Sequence, residues 1–428
     1  MPHRIMIVGG GAGGLELACR LGRKRRAGTE IVLVDMSPSH LWKPLLHQVA
    51  AGTLNSYHDE MSYIALARAN GFRFLLGALS GLDRQARTIG LSSVRDDSGK
   101  VIFPERTAEY DTLVIAIGSV GADFGVPGVR EHCRFLDRRD QAERFHRALL
   151  GLLARNSIAP ARPPARVAIV GGGATGVELS AEIREAAQML RRYGVDLPDP
   201  ALSLTLIERA DRILEPLPPE VSEAAAETLE KLGVRILTGR SVTGVEAACV
   251  HLDDETRLES DLTVWAAGVK APSFLKGLGG LETSPKTDQI VVGPTLQSAT
   301  DPTIYAMGDC AYAPGPDGRP LPPRAQTAHQ QASYLAKALP DHLDRKTVAP
   351  FVYRDRGSLV SLAHYSTVGN LISPRLRRSM MIDGWAAFIA YRLLYRNHQS
   401  VLLGPARTAA MMMIDQLRRT AQPELKMH

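Results

Sequence analysis

Two short glycine clusters, each between an apolar run and a run with helical spacing, constrain how this chain can fold. They span residues 9–14 and 171–176, and they follow the apolar runs 4–8 and 166–170. A lone cluster of this kind is weak evidence. A cluster between a buried strand and a helix, with an acid further along, is the context that a dinucleotide-binding fingerprint requires. The repeat therefore predicts two nucleotide-binding units in one chain.

In the first unit the glycines have separate tasks. Gly9 permits the tight turn, Gly11 lets the backbone approach a pyrophosphate at the helix N-terminus, and Gly14 allows the helix to pack closely on the strand. Asp35 ends the next apolar run and can accept hydrogen bonds from a ribose. The loop residues predicted to bind the cofactor are Gly9, Gly11, Ala12, Gly13 and Gly14.

The second unit repeats this plan with Gly171, Gly173 and Gly176. Its acid, Glu208, comes later in the chain than usual. A carboxylate in this place binds the 2′-hydroxyl of NAD and repels the 2′-phosphate of NADP. Arg209 beside it could soften this discrimination, so the sequence favours NADH over NADPH without excluding NADPH.

Three further apolar segments end at a glycine, where a returning strand would close a nucleotide-binding unit. Gly118 and Gly268 end two of them, and both are predicted to contact a cofactor. The third ends at Gly308 and Asp309, whose carboxylate can hydrogen-bond a ribityl chain. We therefore expect an α/β fold with two Rossmann-like domains.

The domain boundaries follow from where these segments lie. A proline-rich stretch at 159–164 is typical of a linker. Because Gly308 and Asp309 belong with the first nucleotide, the FAD-binding domain is predicted to be discontinuous, with the NADH-binding domain inserted in it. The predicted ranges are 1–125 with 275–345 for FAD, 126–274 for NADH, and 346–428 for a C-terminal membrane-surface and dimerisation region.

The charge of the chain is concentrated at its C-terminal end. The formal net charge is +6, and residues 375–428 hold nine Lys and Arg against three Asp and Glu, a difference that accounts for all of it. This asymmetry indicates a basic surface for a membrane, a nucleic acid or an acidic partner. No apolar stretch approaches the 18 or so residues that span a bilayer, and no signal peptide is visible. We therefore expect a cytosolic chain, unless it lies on a membrane surface.

The cysteines exclude one class of flavoenzyme. Disulfide reductases need two cysteines beside the flavin, and none lies between Met36 and His132. The four cysteines are far apart and form no metal-type or redox-type pair. They are Cys19, Cys133, Cys249 and Cys310. We predict scattered thiols in a reducing compartment and no metal site.

At these residues the chain resembles the two-dinucleotide-binding-domain flavoproteins, glutathione-reductase-like in fold. Among them it is most similar to the enterobacterial-type branch of the type II NADH dehydrogenases, which are single-subunit NADH:quinone oxidoreductases of bacterial membranes that do not pump protons. The resemblance covers essentially the whole chain. Beside the two glycine loops it rests on HLWKPLLH at 40–47, WAAGV at 265–269, AQTAHQQ at 325–331 and the stretch 357–382.

The resemblance implies non-covalent FAD, NADH as substrate and a quinone as acceptor, feeding a respiratory chain. It places Lys43 near the isoalloxazine, and Asp309 and Ala328 near the ribityl chain and ring. Gln326 and Gln330 would line the quinone pocket. The alternatives remain open: Lys43 as a solvated charge, and the two glutamines as helix-surface amides.

Glu178 stands two residues after the last glycine of the second loop. By resemblance it would lie near the nicotinamide and the flavin. If burial raises its pKa, it could help relay protons to the quinone. The alternative is a carboxylate near the helix start that merely suits the helix dipole. His329 is expected to point away from the flavin.

The tail has the pattern of amphipathic helices. Trp385, Phe388, Ile389 and Leu393 share a helical face. Arg392 and Arg396 lie close by, and a second apolar stretch ends at Arg418 and Arg419. Basic amphipathic helices lie in the interface of an anionic membrane. Packing on the protein's own core or across a dimer is the alternative.

The resemblance favours a peripheral protein on the cytoplasmic face of the bacterial inner membrane, as a homodimer that binds no nucleic acid. Two other functions fit parts of the sequence. One is a soluble NADH-dependent flavin reductase of an iron–sulfur partner. The other is a flavin-bound redox sensor whose basic tail binds nucleic acid, but the tail arginines alternate with apolar residues, whereas a phosphate-tracking surface needs mainly polar neighbours.

Overall fold

The structure is a computed structural model. It describes residues 1–55, 59–96, 98–158, 163–197, 200–315, 318–372 and 379–421.

Strands and α-helices both occur in every part of the described chain, and two long runs, at 73–121 and at 234–312, contain strands without an α-helix between them. The strands are β1 His3–Val8, β2 Thr29–Asp35, β3 Ser39–His40, β4 Met61–Ser62, β5 Arg73–Leu76, β6 Leu79–Asp83, β7 Thr88–Leu91, β8 Val94–Arg95, β9 Val101–Phe103, β10 Arg106–Glu109, β11 Thr112–Ile115, β12 Val120–Gly121, β13 Cys133–Arg134, β14 Ala165–Val170, β15 Leu202–Ile207, β16 Val234–Leu237, β17 Val242–Glu246, β18 Cys249–Leu252, β19 Arg257–Glu259, β20 Leu262–Trp265, β21 Val269–Lys270, β22 Ile290–Val291, β23 Ile304–Ala306, β24 Ala311–Tyr312, β25 Gly357–Leu362, β26 Ser366–Ile372 and β27 Ser379–Asp383. The α-helices are α1 Ala12–Lys24, α2 Leu46–Ala51, α3 Tyr63–Asn70, α4 Val129–His132, α5 Arg139–Ile158, α6 Ala174–Arg192, α7 Pro219–Lys231, α8 Ala325–Leu343, α9 Gly384–Leu403 and α10 Pro405–Ala421.

The first glycine loop lies at the end of a parallel sheet of five strands in the order β23-β11-β1-β2-β5. Its central strand β1 pairs with β2 on one side and β11 on the other. Both neighbours are apolar runs, as expected for strands covered on both faces. Strand order changes direction beside β1, which is where open α/β sheets bind ligands, outside the carboxyl ends of the strands.

The second glycine loop has the same surroundings. A second parallel sheet has the order β13-β20-β14-β15-β16, with the loop directly after β14. Strand β14 pairs with β15 and with β20. The prediction of an α/β fold with two Rossmann-like units is therefore confirmed at the level of sheet topology.

The chain crosses between the two sheets twice. Strands β12 and β21 pair where it leaves the first sheet and where it comes back. Strand β23 pairs in parallel with β11. The last strand of the first sheet therefore comes after all the strands of the second sheet in the sequence. This order supports the proposal of a discontinuous first domain, whose boundaries stay a prediction.

The C-terminal region packs on both units. Strands β25, β26 and β27 form an antiparallel sheet, and Val360 and Leu362 belong to the core of the second unit. Helix α9 sends Leu402 into the core of the first. Among the described residues, no helix has the length and apolar character needed to cross a membrane.

Candidate functional site

The first glycine loop has the backbone that its sequence predicts. Gly9 has a φ of +106°, and a side chain on it would strike the carbonyl of Ala116. A Cβ on Gly14 would strike the carbonyl of Gly9, so α1 can approach β1 only with glycine there. By contrast, a Cβ on Gly11 would meet nothing within 4 Å. The protein itself does not need glycine at position 11, which leaves close approach of a ligand as the physical reason for it.

Asp35 is held against this loop. Its Oδ2 accepts a hydrogen bond from the Gly10 amide at 2.6 Å, and its Oδ1 accepts one from Ser37 at 2.8 Å. Burial raises the pKa of this carboxyl, while the hydrogen bonds from the two backbone amides oppose the rise. Since each carboxylate oxygen can accept more than one hydrogen bond, a ribose hydroxyl can still be accepted.

The second loop has the same backbone geometry and the same arrangement of crowded and open glycines as the first. Gly171 has a φ of +112°, a Cβ on Gly176 would strike the Gly171 carbonyl, and a Cβ on Gly173 would meet nothing within 4 Å. Glu208 accepts hydrogen bonds from Gly172 at 2.6 Å and from Ala210 at 2.8 Å. Each loop therefore combines a helix N-terminus, an open glycine and a fixed carboxylate, which fits one dinucleotide each.

Lys43 and Asp309 come together through Ser119. The Lys43 Nζ donates to the Ser119 carbonyl at 2.9 Å, and the Ser119 hydroxyl donates to Asp309 Oδ2 at 2.7 Å. Gly118, with a φ of +73°, turns the chain directly before Ser119. Lys43 is also 3.8 Å from Asp137, so it is a paired rather than a free charge. Ser119 was missed from the sequence, although it follows a predicted glycine.

The start of α8 lies against the first loop. A Cβ on Gly13 would meet the Ala328 methyl at 3.1 Å, and one on Gly308 would meet it at 3.6 Å. Gln331, buried, accepts a hydrogen bond from the Gly308 amide at 2.6 Å. Gln331 was also missed, although it is the last residue of the AQTAHQQ segment. A small residue at 328 lets α8 approach the predicted flavin site.

Gln326 and Gln330 are both half-buried and tied to the segment before β25. The Gln326 amide donates to Asp355 and to the Gly357 carbonyl, both at 3.1 Å. Gln330 donates to the Arg354 carbonyl at 2.8 Å and accepts from the Arg354 amide at 3.0 Å. The observed contacts hold this segment on α8. Contact with a quinone stays a prediction.

Glu178 lies where three parts of the chain meet. It is on α6, its Oε1 accepts a hydrogen bond from the Ser361 amide of β25 at 3.0 Å, and its Oε2 is 3.4 Å from Nδ1 of His47 on α2. Burial is the main cause that raises the pKa of Glu178 to about 8, and the nearby Glu182 adds to the rise. Burial also lowers the pKa of His47 to about 4. At neutral pH a protonated Glu178 faces a neutral His47.

His329 is turned toward α1. Its Nδ1 is 2.6 Å from Oε2 of the buried Glu16, whose other carboxylate oxygen pairs with Arg20 at 2.7 Å. This contact makes His329 a link between α8 and α1.

The four cysteines are all buried and free. Burial raises the pKa of Cys19 and Cys133 to about 12 and that of Cys310 to about 11. Such thiols are inert rather than redox-active. Within the described ranges, no group of three His, Cys, Asp or Glu side chains is arranged to hold a metal ion.

The tail helices present a partly exposed apolar surface. Trp385 is 78% exposed and Leu393 56%, whereas Phe388 and Ile389 are half-buried. The Arg392 guanidinium lies 5.6 Å from the centre of the Phe388 ring.

The other arginines predicted for this basic surface either form an ion pair within the protein or lie outside the described residues. Arg396 pairs with Asp415 of α10 at 2.6 Å, so it ties the two tail helices together rather than facing a lipid. The side chains of Arg418 and Arg419, and the basic residues of 373–378, lie outside the described residues.

Comparison with known proteins gives the family. The family model described as pyridine nucleotide-disulphide oxidoreductase matches residues 3–332. The type II NADH:quinone oxidoreductase of Haemophilus influenzae is 38% identical over 442 residues, which cover 99% of each chain. This chain is a type II NADH:quinone oxidoreductase by family. NdhA of Mycobacterium tuberculosis, which carries the same enzyme name, is 28% identical over 94% of this chain and 86% of its own.

A solved structure of similar fold agrees with this. NDH2 from Plasmodium falciparum in complex with NADH matches with a TM-score of 0.84 over 100% of both chains, at 20% identity. The predicted family, fold class and enzyme class are confirmed. The comparisons also favour an FAD-dependent NADH:quinone oxidoreductase over the reductase of an iron–sulfur protein and over a redox sensor.

Proposed function

We propose that this enzyme oxidises NADH at the second nucleotide-binding unit and passes the electrons through FAD in the first unit to a membrane quinone, without proton pumping. The observation that carries the proposal is the pair of matched loops, one at each switch point, in a chain of this family. When bound, FAD supplies a carrier that accepts a hydride from NADH and yields two electrons to the quinone.

The two loops bind and orient the nucleotides. The helix N-termini of α1 and α6 attract the pyrophosphates, and Gly11 and Gly173 leave room for them. Asp35 and Glu208 accept the ribose hydroxyls in carboxylate positions that backbone amides already fix. Because Glu208 would repel a 2′-phosphate, NADH is preferred over NADPH.

Lys43, Asp309 and Ala328 would hold the flavin. The Lys43–Ser119–Asp309 chain fixes a cation and an anion beyond the ends of β11 and β23, so little rearrangement is needed when the cofactor binds. The glycine turns at Gly118 and Gly268 would let the backbone approach the bound cofactors.

Glu178 is the proton donor to the quinone. The reaction balances as NADH + H⁺ + quinone → NAD⁺ + quinol, so each turnover takes one proton from solvent. A carboxyl with a pKa of about 8 is mostly protonated at neutral pH and can donate. Gln326 and Gln330 line the approach of the quinone headgroup.

The tail holds the enzyme on the membrane that contains the quinone. Exposed Trp385 and Leu393, with Arg392 at the side, suit an interfacial position on anionic lipid. The proposed location is peripheral, on the cytoplasmic face of the bacterial inner membrane, with a homodimer formed through the C-terminal region and no nucleic acid bound.

Stopped-flow spectroscopy of the detergent-solubilised protein under anaerobic conditions tests the reaction. NADH should bleach the flavin absorbance, and a water-soluble quinone should restore it promptly. Bleaching without recovery would mean that the nucleotide sites are right and the acceptor is wrong. A protein that contains no flavin, or whose flavin NADH does not bleach, would overturn the proposal.

A further inference from the structure

Three buried carboxylates form a row along one face of α6. Glu178, Glu182 and Glu185 are spaced four and three residues apart, the spacing that puts side chains on the same helical face. All three are buried, with 8%, 2% and 4% of their surface exposed. Carboxylates are almost never buried at this density without a specific reason, because each costs free energy to desolvate. The row needs an explanation beyond the role of Glu178.

Glu182, in the middle of the row, is held by hydrogen bonds from two uncharged side chains. Glu182 accepts hydrogen bonds from Gln48 Nε2 at 3.0 Å and from Thr53 Oγ1 at 2.5 Å. Burial raises the pKa of Glu182, and the neighbouring Glu185 adds to the rise. In the part of the chain that the structure describes, no cation pairs with Glu182, and we infer that it can exchange a proton.

The far end of the row reaches solvent at His364. The Nδ1 of His364 is 2.6 Å from Oε2 of Glu185, and the His364 side chain is 51% exposed. Arg192 lies 3.5 Å from the other oxygen of Glu185. The histidine follows β25, whose Ser361 holds Glu178 at the other end.

The segment that carries Ser361 and His364 contacts both ends of the row. From Glu178 to Glu185 the helix advances about 10 Å at 1.5 Å a residue. Strand β25 ends at Leu362, and His364 lies in the turn that joins it to β26, where the Tyr365 amide donates to the Leu362 carbonyl at 3.1 Å. Ser361 contacts the inner end of the row and His364 its outer end.

Polar atoms without partners lie beside this row. His47 Nε2 and Thr367 Oγ1 are buried and have no hydrogen-bond partner among the residues that the structure describes, and Thr367 lies opposite Ser361 on the neighbouring strand. Buried polar atoms in this condition are commonly bridged by ordered water. Water at these positions would close the gaps that side chains four residues apart leave between them.

We propose that this row is the route by which the solvent proton of each turnover reaches the quinone, from His364 through Glu185 and Glu182 to Glu178. The inference rests on the proposed function, which requires one such proton for each NADH. His364 takes a proton from water, and each carboxylate accepts one from its outer neighbour as it gives one to its inner neighbour. Glu178 donates to a quinone oxygen and is reprotonated from Glu182. Charge and protons balance, because every group regains its starting state.

The groups that face the row are consistent with shuttling. His47 on α2 faces Glu178, and Tyr391 on α9 lies near both Glu178 and Glu182, which contribute to raising the pKa of Tyr391 well above its ordinary value. Tyr365, beside Glu185, likewise has a raised pKa. Of these groups only Arg192 is a fixed cation, and it sits at the outer end of the row.

Glu182→Gln is the central test, with Glu230→Gln on the exposed face of α7 as the matched control. A glutamine keeps the shape of the side chain and can still accept from Gln48, while its amide nitrogen would donate to the Thr53 hydroxyl, but it cannot relay a proton. We expect reoxidation of the flavin by quinone to slow about tenfold, while its bleaching by NADH changes less than twofold. The solvent deuterium effect on reoxidation should rise in the variant and stay unchanged in the control. If NADH fails to bleach the flavin of the wild-type protein, the proposed function has failed, not the route.

His364→Ala provides a second, independent test, because this side chain is largely in solvent and its loss should not disturb folding. Reoxidation should slow severalfold and recover when imidazole is added, since a small soluble acid–base can replace the missing one. Reoxidation at the wild-type rate in both variants, or slowing that imidazole does not reverse, would overturn the route.

An infrared titration of the protein without NADH or quinone adds a readout separate from turnover. The wild type should show a protonated carboxyl band at neutral pH that weakens in Glu182→Gln and Glu178→Gln, but not in Glu230→Gln. A band that is absent from the wild type at neutral pH, or equal in all four proteins, would contradict a protonated row.

Discussion

At the scale of single residues, the two glycine loops place glycines at corresponding positions for the same physical reasons. Gly9, Gly14, Gly171 and Gly176 are glycines because the protein's own backbone leaves no room for a side chain. Gly11 and Gly173 have open space in front of them, so their reason lies in the ligand.

Substitutions in the second loop can distinguish a glycine that the packing requires from a glycine that the ligand requires. Gly173→Ala should leave the free energy of unfolding within about 1 kcal/mol of wild type, since nothing lies within 4 Å of the new Cβ. It should raise the Kd for NADH at least tenfold, since that methyl occupies the pyrophosphate position. Calorimetric binding and urea unfolding would measure both.

Gly176→Ala is the counterpart. Its Cβ would strike the Gly171 carbonyl, so we expect a loss of roughly 2–3 kcal/mol in the free energy of unfolding. Equal stability in the two variants would contradict the steric difference between the two positions, and an unchanged Kd for NADH in Gly173→Ala would show that the open space there has no role in binding.

Glu178 makes stability depend on pH. The folded protein raises its pKa from 4.5 to about 8, so below pH 4.5 the group is protonated in both states and carries no penalty. As the pH rises from 4.5 to 8 the unfolded chain loses this proton and the folded chain keeps it, so the free energy of unfolding falls. At on the order of 1.4 kcal/mol for each pKa unit, the loss is a few kcal/mol by pH 8.

Glu178→Gln removes this dependence. Urea unfolding between pH 5 and 8 should show the variant gaining on the wild type as the pH rises. Glu230→Gln should run parallel to the wild type. A constant difference between Glu178→Gln and wild type across the range would mean that Glu178 is ionised in the folded protein.

At the scale of elements, α9 has an anchored side and an exposed side. His398 on its buried side lies 3.1 Å from His40, which in turn contacts the Gly10 carbonyl at 2.9 Å. The Trp42 ring meets the His398 ring edge-on at 4.1 Å. The helix is thus fixed to the first glycine loop through His40, and its other face is exposed.

The exposed side should carry the membrane contact. Trp385→Ser with Leu393→Ser should weaken binding to vesicles of anionic lipid at least tenfold, because burying each large apolar side chain stabilises by about 1.5–3 kcal/mol. Ile102→Ser, at an exposed apolar position on β9, should bind as the wild type does. Vesicle flotation measures this, and flavin bleaching by NADH should be equal in all three. Unchanged flotation of the double variant would place the membrane contact elsewhere.

At the scale of the whole molecule, the C-terminal region packs on both nucleotide-binding units. It supplies Ser361 to Glu178, Leu402 to the core of the first unit and Val360 to the core of the second. Hydride transfer and quinone reduction both need a site from which water is excluded. We propose that the packing of the C-terminal region around Glu178 provides this exclusion.

All four cysteines are buried, which gives a test of the whole fold. A thiol-specific reagent added to the native protein at pH 7 should react with none of them and leave NADH oxidation unchanged, because raised pKa values suppress the thiolates of Cys19, Cys133 and Cys310. In denaturant all four should react. Inactivation of the native enzyme at a rate matching thiol loss would argue for cysteine chemistry at the site.

The amino-acid sequence by itself determined the two glycine loops, their strands and helices, the acids that end β2 and β15, and the family. These are local features: the spacing of glycines, apolar runs and a terminal carboxylate is complete within some tens of residues, and the backbone conformation that they require is set by steric limits.

Only the tertiary structure decided what surrounds Glu178. Its partner Ser361 lies 183 residues away, and the partners of Gln326 and Gln330 belong to a segment that no short motif marks. Burial, and with it the pKa of about 8 at Glu178, arises when α2, α6 and β25 pack together. Such a shift reflects the removal of water by the whole fold, and no pattern along the chain records which segments will exclude it.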